Sequence, residues 1–308
     1  MNLEQLRSFV EVARLGHFTR ASESLHLTQP SLSRQIATLE RDLGAELFHR
    51  ARGNISLTAA GETLLPRAQR MLAEADTIRE EMGELAGLRR GRVRFGAPPT
   101  LIGLVAEAVS SFHRAHPEVE LHLTESGSRL LVEQLAVGGV DIALITESAS
   151  QPRPGISLTR TALLSEELVV VSSTSQAPLT AAEVISLEEL AALPLIAFDE
   201  SYSLRATTDA ALRSANLTPS TVLEGAEMDA VLRFAERGIG VAVVPAMVLL
   251  DRPALRSVRL EHPWMTRTIS LAHRSDVTPA IAVAAMRRAI ITTAAEVARR
   301  DPAITSLL

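Results

Sequence analysis

The sequence predicts a protein that is α/β over its larger part and opens with a separate helical unit closed by a basic hairpin. Three observations carry this. Residues 3 to 43 show apolar spacing of three and four, with start and stop residues where helices need them. From Arg92 onward, strand-like runs alternate with helical segments. Charge divides near the same border: residues 1–94 carry +2 and the remainder −7, within a total of −5 over 308 residues. That length suggests two or three domains.

In the first segment, Leu3, Leu6, Phe9, Val10, Ala13 and Leu15 recur at helical spacing, and Gly16 ends the predicted helix. A short second helix is predicted from about Thr19 to Leu25, followed by a tight turn at His26-Leu27. Thr28 is a good N-cap for a third helix, and Pro30 falls in the first turn, where its missing N–H costs nothing. Leu32, Ile36, Leu39 and Leu43 continue that helix to Gly44. Two helices joined by a tight turn, the second with a polar N-terminal face, describe a helix-turn-helix. The second helix of that motif lies in the DNA major groove. With Leu32, Ile36 and Leu39 turned inward, Thr28, Gln29, Pro30, Ser31, Ser33, Arg34 and Gln35 are the candidate DNA-binding residues. Gln pairs with adenine and Arg with guanine, whereas Ser often goes to phosphate. The positive end of the helix favours a phosphate near Thr28 and Gln29.

Two short strands, Phe48 to Arg50 and Ile55 to Leu57, flank a turn at Arg52-Gly53-Asn54. Such a hairpin beside a groove helix is a wing, and it adds Arg50 and Arg52 as candidate DNA contacts. Taken alone, a basic hairpin is more often just a solvated turn; the neighbouring helix-turn-helix favours the wing. Thr58 then caps a long helix in which Leu65, Ala68, Leu72, Ala75, Met82 and Leu85 approach a 3-4 alternation, with a charged Arg79 at one position. This predicts a coiled-coil dimer seam, against the alternative of a helix packed on its own domain. Pro66 is expected to kink it.

The stretch from Leu6 to Leu65 closely resembles the N-terminal domain of LysR-type transcriptional regulators. The resemblance rests on the helix-turn-helix, the Leu-Gly-x-x-Leu-Phe-x-Arg join at Leu43 to Arg50, and Leu-Thr-x-x-Gly at Leu57 to Gly61. It implies a winged helix-turn-helix over residues 1–58, a dimerising linker helix over 59–89 and an effector-binding domain over 90–308. That last part would be built like a two-subdomain periplasmic binding protein, with subdomain I at 92–162 and 267–300 and subdomain II at 163–266. Crossover strands near Thr161–Leu164 and Met265–Thr268 would join them. The resemblance also implies an interrupted palindromic site on double-stranded DNA, a tetramer of two dimers, a small-molecule effector and contact with RNA polymerase.

The alternation beyond Arg92 reads as parallel sheets with helices on both faces, which bind ligands at the carboxyl ends of their strands. Three such ends carry hydroxyls: Pro99-Thr100 after RVRFG, Ser126-Gly127-Ser128 after LHLTE, and Ser201-Tyr202-Ser203 after PLIAF. Two of them open helices, a natural seat for an anion, although each hydroxyl taken singly is an ordinary N-cap. By resemblance, Pro99, Thr100, Leu101, Ser128, Ser201, Tyr202, Ser203 and Ile269 are the candidate effector-binding residues. Asp199 and Glu200 depart from a simple anion site. Pointing inward they would favour a donor or a cation; pointing outward they are a solvated loop. The glycines of Glu236–Val248 read as structure, a close helix-to-strand turn.

Other functions find little support. The sequence has no P-loop, no Gly-x-Gly-x-x-Gly and no Gly-x-Ser-x-Gly, and His113, His116 and His122 lack ligand spacing, so neither an enzyme, a metal nor a cofactor is expected. The absence of Cys excludes disulfides and thiolate sites. No apolar run approaches the roughly 20 residues of a membrane span. The N-terminal stretch has acids inside its apolar pattern and no cleavage site, so no signal peptide is expected, which argues against a secreted solute-binding protein and makes the cytoplasm the expected location.

Overall fold

The computed structural model describes residues 1–51, 54–85, 91–147, 158–199, 203–225, 227–250, 252–261 and 265–308. Helix α1 (Leu3–Leu15) starts at a reciprocal cap in which Asn2 accepts from the Gln5 N–H and Gln5 from the Asn2 N–H, both at 2.9 Å. It ends at Gly16 with φ 64°. Helix α2 (Phe18–Ser24) leads into a turn with His26 at φ 53°. Helix α3 (Gln29–Leu43) follows, with Thr28 as its N-cap and Gly44 at φ 68° closing it. Strands β1 (Phe48–Ala51) and β2 (Asn54–Leu57) pair antiparallel, Phe48 opposite Leu57. Leu6, Phe9, Val12, Ala21, Leu32, Ile36, Leu39, Leu47 and Phe48 form one buried core. Each large side chain there contributes about 1.5–3 kcal/mol of burial.

Helix α4 (Ala59–Leu85) runs on through Pro66. Thr58 anchors its start, donating to the Glu46 carbonyl at 2.6 Å and accepting from the Gly61 N–H at 3.1 Å. Part of the expected seam is used within the chain. Ala68 is fully buried, and Leu65 and Leu72 pack on the same core as α1, so these three residues hold α4 to its own domain. Among the described side chains of α4, the large apolar ones left exposed are Met71, Ile78 and Met82. Arg79, a charge at an expected seam position, bonds Asp76, which also pairs with Arg7 of α1.

The remaining chain forms β3 (Arg92–Ala97), α5 (Ile102–Ala115), β4 (Glu120–Glu125), α6 (Ser128–Val137), β5 (Ile142–Glu147), β6 (Leu158–Ser173), β7 (Val184–Ile185), α7 (Leu187–Ala192), β8 (Pro194–Phe198), α8 (Ser203–Ser214), β9 (Ser220–Gly225), α9 (Met228–Glu236), β10 (Ala242–Pro245), β11 (Leu255–Leu260), β12 (Thr266–Arg274), α10 (Ile281–Val297) and β13 (Ile304–Ser306). The expectation of parallel sheets is corrected to mixed ones. Strand β3 is parallel to β4 and β5, but β12 is antiparallel to β5 and β6, and β10 and β11 are antiparallel to β6. The physical reason is connectivity. A chain that enters a second subdomain and returns must cross twice in opposite directions, and its two crossing strands are then antiparallel neighbours. Strand β6 pairs with β12 over residues 158–167 and with β10 and β11 over 168–173, so it serves both subdomains. Strand β13 adds to β6 at Leu164–Glu166.

Helix α4 also docks on this second part. Arg70 Nε donates to the Ala136 carbonyl at the end of α6, at 3.0 Å. Gly138, at φ 73°, lies so close that an added Cβ would meet the Ala73 Cβ at 2.5 Å.

Two outcomes follow from the N-terminal packing. A Cβ on Gly61 would lie 2.3 Å from the Leu47 carbonyl oxygen, so Gly61→Ala should cost about 1–3 kcal/mol or more, read as a lowered midpoint in urea unfolding. Glu11 accepts from Arg14 and from Ser24 of α2, and the Arg14 bond, with help from Ser24, holds its carboxyl below the ordinary value. A depressed carboxylate stabilises above its unfolded pKa and loses that contribution as pH falls through the folded one. The stability difference between the wild type and Glu11→Gln should therefore shrink from about pH 6 to about pH 3.

Candidate nucleic-acid interface and sensor cleft

The first turn of α3 stands on the surface because the apolar side of that helix is committed elsewhere. Leu32, Ile36 and Leu39 are fully buried. Thr28, Gln29, Pro30 and Arg34 are exposed, and Ser31, Ser33 and Gln35 are half-buried. The Thr28 hydroxyl accepts from the Ser31 N–H at 3.4 Å. Gln29 accepts from the Thr19 hydroxyl at 3.4 Å, which ties the two helices of the motif together. Arg34 makes no hydrogen bond or ion pair with the described residues, so its whole guanidinium is available to an acceptor.

Gln35 departs from the expected set. Its carbonyl accepts the hydroxyl of Ser8, a residue buried within α1. A Gln that pairs with adenine uses both its carbonyl and its amino group. With the carbonyl turned inward, Gln35 locks α3 onto α1 and retains only its amino donors for another partner. Arg20, on α2, is exposed and also without a partner among the described residues. A lone Arg in a seven-residue helix gives no periodic signal, and sequence reasoning passed over it.

The hairpin is anchored by Phe48, whose ring lies 5.3 Å from Phe9 and 6.1 Å from Phe18. Arg50 pairs through its backbone with Ile55, but its side chain, and the whole of Arg52, lie outside the described residues.

In the sensor part, Pro99, Thr100 and Leu101 form a 3-10 turn at the carboxyl end of β3. The Thr100 hydroxyl is buried and has no hydrogen-bond partner among the described residues. Ser128 starts α6, and its hydroxyl accepts from the Thr146 N–H at 2.9 Å while also meeting the Thr146 hydroxyl at 3.0 Å. Neither α5 nor α6 has a side-chain cap at its N-terminus; the Leu101 and Ile102 N–H groups at the start of α5 bond the Pro98 and Pro99 carbonyls, so of the two helices α6 is the one whose first turn suits an anion. Leu101 and Ile269 are 0% exposed and belong to the apolar core. Ile269 sits opposite both Thr146 and Leu164 in the middle of the sheet, which explains its burial. Ser201, Tyr202 and Glu200 lie outside the described residues, as does the side chain of Ser203; Asp199 is half-buried.

Sequence reasoning missed Thr146, which lacks any motif, and a buried pair at the crossing. Glu166 on β6 is 0% exposed; it accepts from the Met247 N–H at 2.6 Å and from Arg267 Nε at 2.8 Å. A separate cavity of about 60 Å³ opens between α4 and the sensor part, lined in part by Ala73, Glu74, Arg94, Asp141, His273 and Arg274.

Known proteins place this arrangement. Residues 3–62 match the family described as bacterial regulatory helix-turn-helix protein, lysR family, and residues 86–295 match the LysR substrate binding domain. The HTH-type transcriptional regulator YybE of Bacillus subtilis (strain 168) is 35% identical over 273 residues, covering 88% of this chain and 92% of that protein. Full-length OxyR C199D from Pseudomonas aeruginosa superposes with a TM-score of 0.68 at 26% identity, over 96% of this chain and 94% of that one. Full-length CbnR in complex with its target DNA shares the fold, with a TM-score of 0.66 at 24% identity over 95% of this chain and 100% of that one. The chain belongs to the LysR family of transcriptional regulators. It is a DNA-binding regulator with an effector-binding sensor domain, and not an enzyme. Among the described residues no helix is long and apolar enough to cross a membrane.

The inward bond of Gln35 generates a prediction. Ser8→Ala removes the donor that holds the Gln35 carbonyl, and should lower stability by about 0.5–1.5 kcal/mol, measured by urea unfolding of the full chain.

Proposed function

We propose that this protein is a ligand-responsive bacterial regulator that binds an interrupted palindrome in promoter DNA. The observation that carries the reading is the first turn of α3, which holds Thr28, Gln29, Pro30 and the unpaired Arg34 on the surface. That is the geometry a recognition helix needs. Arg34 contacts a base edge; Ser31 and Ser33 contact phosphate or base; Arg50 and Arg52 follow the backbone as wing residues. Arg20 adds a phosphate contact from α2.

Residues 1–58 form the DNA-binding domain, 59–89 the linker helix and 90–308 the effector-binding domain, with subdomain I at 92–162 and 267–300 and subdomain II at 163–266. Two chains pair through α4 along Met71, Ile78 and Met82, at spacings of seven and four that suit a coiled-coil seam. Two dimers make the tetramer. A small effector binds between the subdomains against Thr100 and Ser128, with Ser201, Tyr202 and Ser203 on the facing side. Its closure of the cleft shifts a pre-existing equilibrium between tetramer geometries, and so the spacing or bend of the DNA and the access of RNA polymerase. The uncapped N-terminus of α6 supports an anionic effector.

Three measurements test the main points. Arg34→Ala should weaken binding to the protein's own promoter about 5- to 100-fold and relax sequence preference. Arg20→Ala should weaken promoter and random DNA alike and reduce the salt slope by about one. Equal promoter binding by wild type and Arg34→Ala would remove the groove assignment. Replacing both Met71 and Ile78 by Glu should convert the protein to monomers in sedimentation, since charges are costly in a seam.

A further inference from the structure

The cavity of about 60 Å³ between α4 and the sensor part shares no residue with the set Thr100, Ser128 and Thr146, and its wall is unevenly satisfied. Glu74 and Thr77 enter it from α4; Arg94, Asp141, His273 and Arg274 enter it from the sensor part. Both arginines are committed to acids. Arg94 donates to Asp141 through Nη2 at 2.7 Å and Nε at 3.4 Å, and its backbone N–H adds a bond of 2.7 Å to the same carboxylate. Arg274 forks onto Asp276 at 2.9 and 2.8 Å.

The groups left over are acceptors. The His273 ring meets the Arg274 carbonyl through Nδ1 at 2.8 Å. A carbonyl only accepts, so Nδ1 carries the hydrogen, and Nε2 of the neutral ring keeps a lone pair. That Nε2 is buried and has no partner among the described residues. Such orphans call for an explanation. The Thr77 hydroxyl spends its hydrogen on the Ala73 carbonyl at 3.1 Å, so its oxygen can only accept. Glu74 is exposed and makes no hydrogen bond or ion pair with the described residues. A protonated His273 would call for an anion. The charge in this wall that lacks a counterpart among the described residues is negative, that of Glu74. Beyond these groups the wall is apolar, with Val140, Val277 and Val283 in it.

We propose that this cavity is a second ligand site, for a small primary ammonium ion. Its N–H groups donate to His273 Nε2 and to the Thr77 oxygen, its charge is met by Glu74, and a short alkyl chain lies against the three valines. Charged donors of this kind bond roughly twice as strongly as neutral ones. The volume is several times what one water needs, and so admits a ligand of only a few heavy atoms. The ion bridges α4 and the sensor part where the two already touch, through Arg70 with the Ala136 carbonyl and through the close approach of Gly138 to Ala73. A molecule lodged there binds the docked arrangement of α4 and no other, so it favours docking by mass action.

The test uses the full chain. Ammonium, methylammonium, ethylammonium and propylammonium chlorides are titrated in thermal-shift measurements at neutral pH, against sodium chloride and tetramethylammonium chloride at matched ionic strength. At least one primary ammonium ion should raise the melting temperature above the sodium control, and tetramethylammonium, which has no N–H, should not. Glu74→Gln removes the charge at an exposed helical position and should weaken that ion about tenfold. His273→Phe keeps a ring but loses the Nε2 acceptor, and should abolish the effect. Thr77→Val should weaken the ion about threefold, and with Glu74→Gln it carries the test where His273→Phe fails to give a cooperative melt. Equal stabilisation by tetramethylammonium would overturn recognition through N–H donors. Undiminished binding in Glu74→Gln and Thr77→Val would overturn the location. If none of the four ions exceeds sodium chloride, the proposal falls and the cavity is left to water.

Discussion

The sensor half depends on two antiparallel strands. Every path from subdomain I to subdomain II runs through β6 or β12, and these two pair along most of the crossing. Strand β6, at 16 residues, is long enough to be central in both sheets. The pairing slips once, between Ile269 and Ser270, where an irregularity bends the ladder. Beside that slip lies Glu166, a carboxylate removed from water and tied to both β12 and the 246–249 turn. A buried charge is stable only when such partners satisfy it, so this pair holds β6, β12 and the 246–249 turn together.

The N-terminal half is coupled to the sensor by α4. Leu65, Ala68 and Leu72 face the DNA-binding core, Arg7 reaches Asp76, and Arg70 and Ala73 meet the end of α6. One helix thus touches the domain carrying the recognition residues and the subdomain carrying Thr100 and Ser128. Its exposed apolar side chains lie off both contacts. These contacts make α4 the element shared by the two halves, with α3 on one side and the end of α6 on the other.

Much of this was legible in the sequence, because helix ends announce themselves chemically. Gly16, Thr28 and Gly44 mark boundaries that the backbone requires, and the inward Leu32, Ile36 and Leu39 follow from spacing alone. Strand direction was not legible: an apolar run such as Leu168–Val171 reads as strand but is silent on its neighbours. The two apolar faces of α4 were not separable in the sequence: Leu65, Ala68 and Leu72 fit a 3-4 period, yet they pack on the DNA-binding core, while Met71, Ile78 and Met82 stay exposed. Gln35 looked like its exposed neighbours because nothing local indicates that Ser8, 27 residues earlier, would claim its carbonyl. The Glu166–Arg267 pair is separated by 101 residues, beyond any local pattern. The cleft residues Thr100 and Ser128 came from family resemblance, whereas the burial that makes Thr100 an orphan donor came only with the fold.

Strand β13 has a consequence for the order in which the molecule takes shape. The DNA-binding core draws on residues from Leu6 to Leu72, all near one another in sequence, and closes with local contacts. Strand β6 waits for β12 roughly a hundred residues on, and its flank at Leu164–Glu166 is covered only when Ile304–Ser306 arrive about 130 residues after β6 ends. Non-local pairing of this kind is slow and leaves an unpaired strand edge while it waits. On a growing chain, the half that reads DNA is therefore formed well before the half that governs it, and the crossing between subdomains is the last place to lose its exposed edge.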